Sequence, residues 1–309
     1  MKRIFLVLFV LTLLISISSC DSSKDDTNDK KVSDDSNQIE DNTSEDGEKK
    51  EGEDGEESEN KDITIDEQVI YEGNDIIVTA TGFDSNDLFG PSISVLIENN
   101  SDKNITVQSR NSSVNGLMID TMFSADVSAG KKANDAITFS SSELEVSGIT
   151  TIKDIELSLH IIETESWDTI IDTDTRVLNT TADASFVQEY DTSGSVVYDS
   201  DDIKIFVKKL NSSESFWGSD LYLFIENNRP EDITVQARDV SINGFMVDPI
   251  FSSDISAGKK AFDTITFMES DLTENNITDI TDIELKFHII NLNTWDTIID
   301  TDTVKISFD

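Results

Sequence analysis

DIELSLHIIETESWDTIIDTDT at residues 154–175 returns as DIELKFHIINLNTWDTIIDTDT at residues 282–303, and this repeated stretch decides how the chain is read. Apolar and polar residues alternate through it. Ile155, Leu157, Leu159 and Ile161 share one side in the first copy, and Ile283, Leu285, Phe287 and Ile289 share it in the second. A period of two is that of a strand with one packed and one wet face. Trp167–Thr175 then returns as the hairpin partner. Working outward at the same shift of 128 residues, Ile97–Thr175 overlies Ile225–Thr303 without a gap, with more than half of the positions identical. IENN (97–100 and 225–228), ITVQ (105–108 and 233–236) and SAGKKA (128–133 and 256–261) recur intact. One gapped residue extends the match back to Tyr71 and Tyr198. The period is that of a whole domain, not of a short solenoid repeat.

The remaining segments also read as strands. Asp75–Thr81 and Asp202–Val207 are rich in β-branched residues, and Ser92–Glu98 alternates with Ile93, Val95 and Ile97 on one side. Asn115-Gly116 and Asn243-Gly244 sit between apolar segments, a strong type I′ hairpin signal. Ser142–Ser147 reads as one helical turn with Ser142 as cap and Gly148 as its end. No long segment has a 3.6-residue period. Seven to eight strands per copy predict an all-β chain of two tandem β-sandwich domains, at 67–180 and 193–309, joined by a linker at 181–192. Phe186-Val187 within that joining stretch is a candidate first strand. The Tyr-x-x-x-Asp-Ile opening, the IENNS turn and the WDTI ending resemble the telokin-like, immunoglobulin-like domains of bacterial lipoproteins. The resemblance covers both copies. It implies an immunoglobulin-like fold and an extracytoplasmic address, and no activity. The Cys–Trp–Cys core of antibody domains is missing.

The N-terminus reads MKRIFLVLFVLTLLISISSC, residues 1–20: a basic start, an apolar run from Ile4 to Ile15, then Ile17-Ser18-Ser19-Cys20. The run is short for a membrane span and matches an export signal. The last four residues resemble the lipobox of bacterial lipoproteins, in which small residues admit the peptidase and the thiol carries the lipid. Cys20, the chain's one cysteine, stands where that pattern needs it. The resemblance implies a chain held to membrane lipid through acylated Cys20 on the extracytoplasmic face. Asp21–Asp62 follows with 18 Asp/Glu, 6 Lys and only Val32 and Ile39 as aliphatics. So little apolar surface cannot offset ordering entropy, so residues 21–66 are expected to be a disordered acidic tether.

Setting aside +2 for the signal and −12 for the tether, a net −30 of the chain's −40 lies on residues 63–309. Such a charge excludes nucleic acid, whose phosphates require basic patches. The repeated basic pairs Lys131-Lys132 and Lys259-Lys260 read as solvated turn residues. His160 and His288, the two histidines, lie on the polar phase of the regular strand seven residues before Trp167-Asp168 and Trp295-Asp296, so each is expected to stack on its tryptophan. Catalysis would need a nucleophile beside them. No G-x-S-x-G elbow or free thiol is present, which makes an extracytoplasmic hydrolase the weakest reading. Asp168, Asp172 and Asp174, with Asp296, Asp300 and Asp302, form two clusters of oxygen ligands suited to Ca²⁺. The competing reading is a charged edge strand that discourages aggregation. Trp217, opposite Phe89 in the repeat, either anchors a partner or plugs the end of the sandwich, and the plug is favoured. The function that follows is a lipid-anchored, non-catalytic module binding a cell-surface protein or glycan, with Trp167, His160, Trp295, His288 and Trp217 as its candidate ligand-binding residues. A Ca²⁺-stabilised spacer is the alternative.

Overall fold

The hairpins close where Asn and Asp accept a left-handed backbone. Asn74 and Asp75 (φ 51° and 57°), Asn115 and Gly116 (53° and 90°), and their counterparts Asp201-Asp202 and Asn243-Gly244 all have positive φ. Two consecutive positive values are what a type I′ turn demands. The computed structural model describes residues 63–85, 89–215 and 217–308. The leader at 1–20, with Cys20, and the acidic stretch up to residue 62 lie outside the described residues.

In the first copy the strands are β1 (Gln68–Gly73), β2 (Ile76–Asp84), β3 (Ser92–Asn99), β4 (Ile105–Val114), β5 (Leu117–Met118) and β6 (Thr121–Met122). They continue with β7 (Ser124–Val127), β8 (Lys131–Phe139), β9 (Asp154–Glu163), β10 (Thr169–Asp172) and β11 (Arg176–Asn179), with one helical turn, α1 (Ser141–Val146), after β8. One sheet runs β1-β2-β3-β8-β6, and in the other β10, β11 and β4 flank β9, with β7 beside β4. The second copy repeats the plan with β12 (Ser195–Ser200), β13 (Ile203–Ser215), β14 (Gly218–Asn227), β15 (Ile233–Ile242) and β16 (Phe245–Met246). It ends with β17 (Ser252–Ile255), β18 (Lys260–Met268), α2 (Glu269–Glu274), β19 (Asp282–Asn291), β20 (Thr297–Asp300) and β21 (Val304–Ser307). The described residues are predominantly β, and neither helix among them exceeds 6 residues. Inward positions of facing sheets meet in one core per copy: Ile93, Ile97, Ile137 and Phe139 with Ile105, Ile155, Leu157 and Ile161 in the first. Ile225, Ile265 and Phe267 with Ile233, Ile283, Leu285 and Phe287 play this part in the second. The alternation read from 154–162 is therefore the inner face of β9.

Much of the repeat's identity is loop scaffolding. Asn99 is fully buried; its amide donates to the carbonyls of Lys103 (2.8 Å) and Val127 (2.9 Å) and its oxygen accepts from Ser101. Asn227 does the same for Glu231, Ile255 and Arg229. Asn115 and Asn243 brace the stretch before β9 and β19 through Thr151 and Asp279. The cap of α1 is Ser140, whose hydroxyl accepts from Glu143 N, two residues before the serine read as the cap; Gly148 (φ 67°) ends the turn as read.

Three local expectations change. The last residues of the predicted tether belong to the first copy, because Ile65 is buried and bridges Thr180 while Thr181 N donates to Thr64 O. Phe186-Val187 forms no strand. The segment 181–192 also lies against its neighbours: the Tyr190 hydroxyl donates to Asn115 O (2.7 Å) and its ring meets Phe224. Desolvation there raises the Tyr190 pKa.

The two copies touch directly within one compact unit. Phe206 and Phe224 from the outer face of β13 and β14 join the first copy's core, while Met118 packs on the second copy's. Phe224 lies 5.7 Å from Phe206 and 4.6 Å from Phe262, ring centre to ring centre. Leu117 pairs in parallel with Lys260, whose N–H donates to Gly116 O (3.1 Å). Lys259 meets Glu156 at 2.5 Å. Lys259-Lys260 is thus a contact between copies and not a solvated turn, a role that a repeat read one copy at a time cannot reveal.

Candidate functional site: the tryptophan hairpins

The turn between β9 and β10 is closed by two backbone bonds, Glu163 N to Asp168 O and Trp167 N to Glu163 O, both 2.9 Å. The turn between β19 and β20 repeats them with Asn291, Asp296 and Trp295 at the same 2.9 Å. This loop needs one residue in the left-handed region just before the returning strand, a place that glycine or asparagine fills without cost. Here Trp167 and Trp295 fill it, both at φ 63°. A left-handed backbone costs an ordinary L residue about 1–2 kcal/mol, and strain of this kind concentrates where function holds it. Neither indole returns the cost by packing, since Trp167 is 71 % and Trp295 69 % exposed.

Beside the first tryptophan hairpin, a cleft of about 400 Å³ is lined by Asp75, Ser101, Asp102, Lys103, Glu163 and Asp168, among others. Lys103 bonds Glu163 at 2.6 Å, which raises the Lys103 pKa. The cleft thus presents carboxylates, a hydroxyl and one ammonium along the hairpin that carries Trp167.

The histidines are placed differently from expectation. His160 stands directly across from Asp172 in the β9–β10 register, and its Nδ1 lies 2.5 Å from the Asp172 carboxylate. His288 and Asp300 repeat the pair at 2.6 Å. The hairpin brings a carboxylate, not the tryptophan, onto each imidazole, because Trp167 belongs to the loop and not to the ladder.

That pairing also disperses the proposed calcium ligands. β10 ends at Asp172; Thr173 then turns in to bond Leu159 through both its N–H (2.9 Å) and its hydroxyl (2.8 Å). Thr301 does so with Phe287. Asp172 and Asp174 therefore do not share one extended strand. Asp168 lines the cleft by Lys103, while Asp172 and Asp174 line a different one together with Glu72 and Arg176. Among the described residues no group of three or more His, Cys, Asp or Glu side chains is placed to hold a metal ion, neither Asp168, Asp172 and Asp174 nor Asp296, Asp300 and Asp302.

Trp217 is 61 % exposed and Phe89 65 %, so neither plugs the end of its core. Each precedes a glycine pressed against a backbone carbonyl. A Cβ on Gly90 would sit 2.1 Å from Phe139 O, and one on Gly218 2.0 Å from Phe267 O. Sequence reading picked out Trp167 and Trp295 as candidate ligand-binding residues but missed that both stand at a left-handed turn position. That position was legible only once the loop length was known.

No family model and no curated protein matches this chain. Among solved structures it is similar to a Salmonella enterica SafA pilin in complex with the SafB chaperone, at 10 % identity and TM-score 0.19 over 70 % of this chain and 89 % of that one. It is also similar to the YadV chaperone, at 12 % identity and TM-score 0.22 over 76 % and 100 % of the two chains.

Proposed function

We propose that the chain is an extracytoplasmic lipoprotein, anchored through acylated Cys20, whose two immunoglobulin-like sandwich copies are non-catalytic binding modules that present Trp167 and Trp295 to a cell-surface glycan. One observation carries the reading: the same bulky residue is held twice at a strained, solvent-facing turn where a smaller one would be cheaper. An exposed indole offers a flat apolar face for the C–H face of a sugar ring, and the cleft beside Trp167 offers carboxylates and a hydroxyl to sugar hydroxyls. The negative charge disfavours acidic sugars, so neutral ones fit. Two linked sites raise effective concentration, so weak single contacts suffice for avidity. The leader and tether would supply the display: a diacylated thiol at the membrane and an acidic spacer that stands off from anionic headgroups.

The test uses the mature acylated chain in phosphatidylcholine vesicles applied to an array of neutral and acidic glycans. The expected result is retention on neutral glycans, reduced at least tenfold in the Trp167→Gly/Trp295→Gly double variant. Retention unaffected by the double substitution would refute the site, and retention on protein-coated spots alone would shift the ligand class to a protein. Mass spectrometry of the mature N-terminus tests the anchor: an intact, unacylated Met1 in the membrane fraction contradicts it.

A further inference from the structure

The contact between copies uses a donor and an acceptor, and the residues of both recur at the repeat shift without a partner copy against them, although Lys305 pairs with Glu284 (2.9 Å) and Lys132 with Glu98. The donor is the hairpin Asn115–Met118 with Glu156 beside it. Its Leu117 is fully buried and its Met118 packs into the second core. The acceptor is the start of β18 and the outer face of its sheet: Lys259, Lys260, Phe262 and Phe224. At the repeat shift the donor hairpin becomes Asn243–Met246 with Glu284, and the acceptor becomes Lys131, Lys132, Asn134 and Leu96. Phe245 is 48 % and Met246 66 % exposed, although their counterparts are covered. Lys131 is exposed as well.

We propose that a second copy of this chain docks its Lys131–Lys132 edge and outer β3–β8 face onto the Asn243–Met246 hairpin of the first. The contact repeats head to tail the one already made within each chain. Lys131 then meets Glu284 as Lys259 meets Glu156, sharing that carboxylate with Lys305, and the backbone N–H of Lys132 reaches Gly244 O as that of Lys260 reaches Gly116 O. The acceptor is less apolar, with half-buried Leu96 and exposed Asn134 where the internal junction has Phe224 and Phe262, and with Thr79, already buried, where it has Phe206. Phe245 in place of Leu117 enlarges the donor side. The association is therefore weaker than the internal one and suits chains concentrated on a surface. The contact is heterologous, so it propagates into a row or closes into a ring.

The experiment is zero-length carbodiimide cross-linking of the full mature chain on phosphatidylcholine vesicles, using an equal mixture of isotopically light and heavy protein, read by mass spectrometry. A Lys131–Glu284 peptide pair joining light to heavy chains is expected. Lys259–Glu156, within each chain, reports that the fold is intact. Phe245→Asp should lower the Lys131–Glu284 yield at least tenfold while sparing the Lys259–Glu156 link. Lys131→Glu should abolish the associated vesicle-bound oligomer, and adding Glu284→Lys should restore it. The proposal is overturned if the internal link forms and no mixed Lys131–Glu284 pair does, or if the mixed pair survives Phe245→Asp.

Discussion

Gly218 illustrates how little room the backbone leaves at the ends of these sheets. Its φ of 142° and its contact with the Phe267 carbonyl forbid a Cβ, so Gly218→Ala should cost about 2 kcal/mol or more in a denaturant melt. Asn227 is the polar counterpart. Asn227→Ala removes the amide's bonds to the carbonyls of Glu231, Ile255 and Ser256 and the acceptor for Arg229 N, which should cost about 3 kcal/mol. An unchanged unfolding midpoint in either variant would show that the loop tolerates what its geometry denies. The tryptophans behave oppositely, since their strained backbone is held without buried contacts in return. Asn-Gly announced its turns in the sequence because its conformational preference is local. Asn99 and Asn227 announced nothing, since their role depends on carbonyls 28 residues away.

At the scale of elements, identical residues acquire different roles from what packs on them. Asp135 on β8 is exposed, while its equivalent Asp263 on β18 lines a groove between copies with Asp120, Glu143 and Asp254. Burial raises the pKa of both Asp263 and Glu143, and the neighbouring carboxylates add to it. A raised carboxyl favours the fold while protonated, and stability is lost as pH climbs from the ordinary carboxylate value near 4 through the raised one. Asp263→Asn, which keeps an acceptor for Thr264 N, should therefore raise the melting temperature at pH 7 and change it little at pH 4. Equal shifts at both values would contradict the assignment. The strand pattern was legible because burial on one face imposes its period on the residues. The groove was not, because it exists only where two copies meet. The outer-face aromatics Phe206, Phe224 and Phe262 were its one trace, readable as departures from Thr79, Leu96 and Asn134.

Across the whole molecule those aromatics couple the copies. Phe224→Ala should cost about 3–5 kcal/mol and split a single calorimetric transition into two, whereas one undivided transition would show that the copies are joined by something else. The two tandem domains read from the sequence thus prove to be in direct contact through β5, β18 and these aromatics. The account's central claim is that Trp167 and Trp295 are held for contact with something outside the chain. It is tested most directly by the thermal melt of the Trp167→Gly/Trp295→Gly variant. Relief of left-handed strain, about 1 kcal/mol at each site, offsets the entropy that glycine adds to the unfolded chain. The melting temperature should therefore equal or exceed that of the parent. A fall of several degrees would mean that the indoles serve the fold, and would contradict the claim.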